Sequence, residues 1–302
     1  MRELVLLLPG LFLNADAARA LGPWRFSTPR PLKGGWRLAF ARSIGRDDVA
    51  LASPATVVAA SEGLPIDAWF ATPLHLIAGL TTLHLSADGV LRLSTDEARE
   101  LSAAFAGTFG NDGLALHALD DGSLLLSGLG ACAAETVDPA LLAEQAASQG
   151  LASAQPVGEG AATLRALMTE IEMWLHDLPL NHQREAAGLL PIRSLWVWGG
   201  GAPHHAERQP AAAVAVVDAA SDFIVHTRDP WARTCCRLAG LACEPLDLSG
   251  EFFARLAAEL QRGEWSKLTL MTTDRAVSVC PSDRWRWWRP QRDALSALTE
   301  VA

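Results

Sequence analysis

The chain has 302 residues, half of them hydrophobic and one-fifth charged, a composition that supplies a full core and excludes disordered and fibrous classes. Its formal charge of −9, from 34 acidic and 25 basic residues, disfavours a non-specific electrostatic grip on nucleic acid or anionic lipid. No run approaches the roughly 18–20 apolar residues of a membrane span, so no membrane partner is expected.

Glu3 to Leu8 reads as a buried strand closing in Pro9-Gly10. The run is too brief for a signal-peptide core, and a cytoplasmic protein is expected. Residues 16–48 are irregular and rich in Pro and Gly, the pattern of a functional loop or cover. Two hairpins follow: Thr81–Leu85 with Val90–Leu93 around Ala87-Asp88-Gly89, and Leu114–Leu119 with Ser123–Leu126 around Asp120-Asp121-Gly122. Between them Ser94-Thr95-Asp96-Glu97 is a capping box that opens a helix toward Gly107.

Helical patterns near Pro139–Ser148, Ala161–Asp177 and Glu251–Arg262 then alternate with apolar runs at Ser194–Trp198, Ala212–Asp218, Phe223–His226 and Lys267–Met271. Such alternation predicts a largely parallel sheet. The expected fold is α/β: a mostly parallel central sheet flanked by helices, with an antiparallel hairpin and helix subregion inserted over about 65–130. One domain over 1–302 is expected, and a division near residue 150 is the alternative.

The densest polar cluster comprises Glu170, Glu172, His176, Asp177, Asn181, His182, Arg184 and Glu185, and runs on into Arg193 and Ser194. One helical turn separates Glu172 from His176, a spacing that fits a metal pair or an acid/base pair and equally a solvated face. Gly199-Gly200-Gly201 follows a predicted core strand, where α/β sheets bind ligands and bare backbone can approach a phosphate. It lacks both dinucleotide-binding and P-loop signatures, so a plain turn competes with a ligand loop. His204 and His205 would contact that ligand or stand in solvent. No G-x-S-x-G is present, which disfavours serine-hydrolase chemistry. The five cysteines contain no C-x-x-C and are expected to be reduced and mostly buried. Arg284-Trp285-Arg286-Trp287-Trp288-Arg289-Pro290 reads either as a stacking surface for single-stranded nucleic acid or as a terminal edge strand burying Trp285 and Trp287. The acidic total favours the strand, and nucleic acid is not expected as a partner.

The string TEIEMWLHDLPLNHQREAAGLLPIRSLWVWGGG, Thr169 to Gly201, resembles bacterial RpfE-type regulatory proteins, which are labelled cofactor-independent phosphoglycerate mutase-like. The opening strand, Trp69 to Leu76 and the Trp-Arg-rich ending fit the same resemblance. It implies a fold distantly similar to the alkaline-phosphatase superfamily and a regulatory role. A true phosphomutase of that superfamily implies two divalent metals held by Asp and His around a Ser nucleophile, with one Asp directly after the first strand. This chain has Leu8-Pro9-Gly10 there, Thr72 before Pro73 where the family has Asp, and Asp274 alone in place of a late Asp-His-Gly segment. The expectation is therefore a non-catalytic pseudoenzyme that binds a small anionic metabolite or a protein partner, with no cofactor and no metal. Its expected ligand contacts are Glu172, His176, Asn181, Arg184, Glu185, Arg193, Gly199, Gly200 and Gly201, with His75 approaching from elsewhere in the chain. The alternative is a phosphomutase or phosphatase dependent on a divalent metal, Mn or Zn.

Overall fold

The computed structural model describes residues 2–9, 24–78, 83–142, 155–201 and 222–299. His204, His205, the predicted strand Ala212–Asp218 and most of the predicted helix near Pro139–Ser148 lie outside them. The chain divides into two units, Met1–Leu51 with His205–Ala302, and Ala52–His204. In chain order the first unit opens with β1 (Arg2–Leu7), β2 (Arg30–Pro31), α1 (Gly35–Ser43) and α2 (Asp47–Leu51). The second unit carries α3 (Pro54–Ser61), β3 (Trp69–Ala78), β4 (Leu83–Val90), α4 (Thr95–Phe109), β5 (Ala115–Ala118) and β6 (Leu124–Ser127). It continues through α5 (Ala161–His176), α6 (Pro179–Ala186) and β7 (Ser194–Trp198). The first unit resumes with β8 (Asp222–Thr227), α7 (Pro230–Leu238), β9 (Ala242–Pro245), α8 (Gly250–Arg262), β10 (Lys267–Met271), β11 (Arg275–Val279) and α9 (Ala294–Thr299).

The first unit is a mixed α/β layer with strand order β2-β11-β10-β1-β8-β9. β1 lies at its centre, parallel to both neighbours, with Val5 between Thr269 of β10 and Val225 of β8. A strand covered on both faces needs apolar side chains at every position, and Leu4-Val5-Leu6-Leu7 supplies them, all buried. Leu4 and Leu6 pack with Phe253, Leu256, Leu268 and Leu270 in one core. α8 lays its apolar stripe on that core. The Ser249 hydroxyl caps its start by accepting from the Phe252 amide, and Gly263, at φ 78°, ends it. β11 and β2 close one edge in antiparallel fashion.

The second unit is built on a fully antiparallel sheet in which β3 pairs with β4, β6 and β7. The hairpin expected at Asp120-Asp121-Gly122 forms between β5 and β6, with Leu116 opposite Leu126. The capping box forms as well, with the Glu97 amide donating to Ser94 Oγ and the Ser94 amide to Glu97 Oε2. Three expectations are corrected. β4 runs without interruption through Ala87-Asp88-Gly89 and pairs with β3, so these turn-forming residues lie in an irregular strand beside a register shift at Leu74/Leu76 rather than in a hairpin. β7 pairs antiparallel with β3, Trp196 opposite Thr72. Its five residues are all buried, and burial on both faces gives an antiparallel strand the continuous apolar run of a parallel one. Finally, Pro281–Trp285 is a 3₁₀ turn, because the Asp283 carboxylate takes the Cys280 amide and curls the chain where an edge strand was expected. Among the described residues, no helix is long and apolar enough to cross a membrane.

Candidate functional site

The predicted polar cluster falls in the second unit, where the structure resolves it into buried ties and exposed ends. Pro179 at the start of α6 fixes the backbone turn after α5, and the helical period then carries Asn181 and Arg184 inward together. Asn181 Nδ2 donates to the carbonyls of Leu175 at 2.7 Å and Ile192 at 2.8 Å, while Oδ1 accepts from the Ile192 amide at 2.7 Å. Arg184 Nε donates to the Leu190 carbonyl at 2.9 Å, and its Nη1 pairs with Glu97 of α4. Burial pushes the Glu97 carboxyl upward, but the Ser94 amide and the Arg184 charge outweigh it and hold the group below its ordinary range. His75 on β3 meets the Pro191 carbonyl through Nδ1 at 2.9 Å. Asn181, Arg184 and His75 thus converge on the backbone of 190–192.

The other predicted residues are disposed differently. Burial raises the Glu172 carboxyl; the facing Ser194 hydroxyl, itself buried and without a hydrogen bond of normal geometry among the described residues, opposes the shift. His176, one turn further along α5, is exposed, as is Glu185, whose 3.5 Å pair with Arg193 lies largely in solvent. Gly200 and Gly201 have a packing reason. A Cβ on Gly200 would stand 2.4 Å from Trp69 Cγ and 2.7 Å from the Ala68 carbonyl, and one on Gly201 2.9 Å from Trp69. Gly199, at φ 67°, takes the turn out of β7.

The rule that ligands gather at the carboxyl ends of parallel strands applies instead to β1, β8 and β10 in the first unit, and the strand order reverses at β1, with β10 on one side and β8 and β9 on the other. α1 is fixed over these ends. The Trp36 amide donates to the Thr273 carbonyl at 3.2 Å and the Leu32 amide to that of Asp274 at 2.6 Å, both just past β10. Asp229, two residues past β8, caps α7 through the Ala232 amide at 2.9 Å and pairs with Arg37 Nη2 at 2.8 Å. The Arg37 guanidinium stands 4.5 Å above the Trp36 ring and 5.8 Å from that of Trp231, and the two indoles meet edge to face at 5.7 Å. The indole N–H groups of Trp36 and Trp231 are buried with no hydrogen-bond partner among the described residues. A carboxylate on one side and an indole beneath hold this guanidinium as a fixed cation at the strand ends, the kind of group that recognises carboxylate or phosphate. Next to it, burial above all, aided by Asp229, pushes the Cys235 thiol up to about 12, which leaves it unreactive.

Sequence reasoning missed this pair because Arg37 and Asp229 are 192 residues apart. The readable signal was Asp229-Pro230 directly after the predicted strand, a helix cap placed at a strand's carboxyl end. Among the described residues, no three His, Cys, Asp or Glu side chains gather into a group that could hold a metal ion. They do not fit a two-metal set, and no step through a metal follows from them.

No protein-family model matches the chain. Over 110 residues, 36% of its length, it is 33% identical to a probable 2,3-bisphosphoglycerate-independent phosphoglycerate mutase of Geobacter sulfurreducens. The sequence similarity is to phosphoglycerate mutase-like proteins. The matched stretch spans 27% of that relative. Among solved structures, the cofactor-independent phosphoglycerate mutase of Thermoplasma acidophilum superposes with a TM-score of 0.35 at 13% identity, covering 100% of this chain and 95% of that one. The PH0037 protein of Pyrococcus horikoshii gives 0.40 at 11% identity, covering 92% and 86%.

Proposed function

We propose that the chain is a cytoplasmic, non-catalytic regulatory protein of the RpfE type on a mutase-like scaffold, and that it binds a small anionic metabolite at the carboxyl ends of β1, β8 and β10. The observation that carries this reading is the Arg37 guanidinium, anchored by Asp229 and seated on Trp36 at the point where the strand order reverses. In the second unit Asn181 and Arg184, two of the polar groups best placed by sequence, are engaged by the chain's own backbone and Glu97. Arg193 and Glu185 keep the exposure that contact with a protein partner needs.

The test combines turnover and binding. With 3-phosphoglycerate and added manganese or zinc, no 2-phosphoglycerate is expected above a protein-free blank. Calorimetric titration of 3-phosphoglycerate should show binding that Arg37→Lys, which keeps the charge beside Asp229 but removes the guanidinium plane, weakens by roughly tenfold, the equivalent of about one charge-assisted hydrogen bond. The second reading, a metal-dependent phosphomutase or phosphatase, draws on the similarity to the Geobacter protein. Turnover that scales with protein and disappears with a chelator would establish it and sink the first.

A further inference from the structure

Trp285, Trp287 and Trp288 are 71%, 79% and 65% exposed, although an indole usually contributes to a fold by being buried. The loop that carries them is firmly braced. Buried Asp283 accepts from the Cys280 amide at 2.9 Å and pairs with Arg286 at 2.9 Å and Arg289 at 3.5 Å. Arg25 Nη1 reaches the carbonyls of Trp287 and Arg289, and Trp24 and Arg292 exchange two backbone hydrogen bonds of 2.8 Å. Above this frame Trp287 and Trp288 meet edge to face at 6.2 Å, and the Arg284 guanidinium lies 5.1 Å from the Trp285 ring. Asp283 engages Arg286 and Arg289, while Arg284 is exposed and has no carboxylate partner among the described residues.

We propose that this braced tryptophan loop is a docking surface for an acidic, apolar-containing peptide segment of a protein partner. A backbone already held in place loses little freedom on binding, and Trp and Arg are the residues that dominate interface energetics. The occupant's charge follows from Arg284 and from the excess that Arg284, Arg286 and Arg289 keep over the single carboxylate of Asp283, on a chain whose formal charge is −9. Screening at physiological salt acts over about 8 Å. A short acidic segment therefore meets mainly the net positive charge of this loop, whereas a long polyanion or an anionic leaflet also meets charges of the acidic remainder of the chain. The surface is independent of the Arg37–Asp229 site, so its failure leaves the ligand-binding reading standing.

The test is selection of a random dodecapeptide phage library on the whole chain, counter-selected on a triple variant, Trp285→Ala with Trp287→Ala and Trp288→Ala. These side chains are exposed, so the variant should keep the wild-type circular dichroism; Arg284→Glu is a second, milder variant. Enriched peptides should be net acidic with interspersed apolar residues, and a synthetic copy should lose at least about tenfold in affinity against either variant and weaken with salt. The proposal is overturned by no enrichment over the counter-selected variant, or by enriched peptides without net acidity. It is equally overturned by tighter binding through these tryptophans of oligothymidine or of phosphatidylcholine–phosphatidylglycerol vesicles, or by self-association in sedimentation that the triple variant abolishes.

Discussion

Two carboxyl groups of the second unit are shifted in opposite senses, and the signs set how each acts on stability. The Glu97 carboxyl sits below its ordinary range, so its contribution is present above the pKa of the unfolded chain and is lost as pH falls through the folded value. Glu172 is the reverse: burial raises it, so its contribution is complete at low pH and is lost as pH rises through the folded value. Glu172→Gln, which keeps the shape and removes the charge, should therefore raise Tm at pH 7, with the difference shrinking toward pH 4. An unchanged or lower Tm at pH 7 would show that Glu172 has a favourable partner when ionised. In sequence, Glu172 and His176 read as one pair at helical spacing; nothing in that spacing shows that one is half-buried against Ser194 and the other stands in water, because exposure depends on what packs against the helix.

Local grammar was legible wherever the relevant atoms lie within a few residues of each other. The Ser94 capping box and the turn at Asp120-Asp121-Gly122 formed as read, since both are closed by neighbours in the chain. The Gly199–Gly201 turn shows where such reading stops: its glycines accommodate Trp69, 131 positions before Gly200 in the chain. Gly200→Ala would place a methyl group 2.4 Å from the indole and 2.7 Å from a backbone carbonyl, so something rigid must shift. Loss of about 1–3 kcal/mol in urea unfolding is expected, the usual penalty of overpacking. A loss within error would mean that Trp69 can swing aside and that the turn tolerates side chains. The tryptophan loop at 284–288 departs from its sequence pattern for a related reason. Alternation of Arg and Trp has the period of a strand, but one buried carboxylate, Asp283, bends the backbone before a strand can form.

At the scale of the molecule, residues 52–204 form one uninterrupted unit with a sheet of its own. Expressed alone, this segment should unfold in urea in a single cooperative transition; a gradual loss of circular dichroism without a baseline would show that it lacks an independent core. No such autonomy is open to residues 1–51, whose β1 finds both partners in the later part of the chain. That arrangement imposes a timetable on synthesis. Val5 pairs with Val225, about 220 positions later, and at ribosomal speeds of 5–20 residues per second the apolar strand waits roughly 10–45 s for its first neighbour. Throughout that interval Leu4-Val5-Leu6-Leu7 is an uncovered, uncharged β-forming run. A nascent-chain chaperone that shields such runs would be needed until β8 emerges, while the segment between can complete its own fold first.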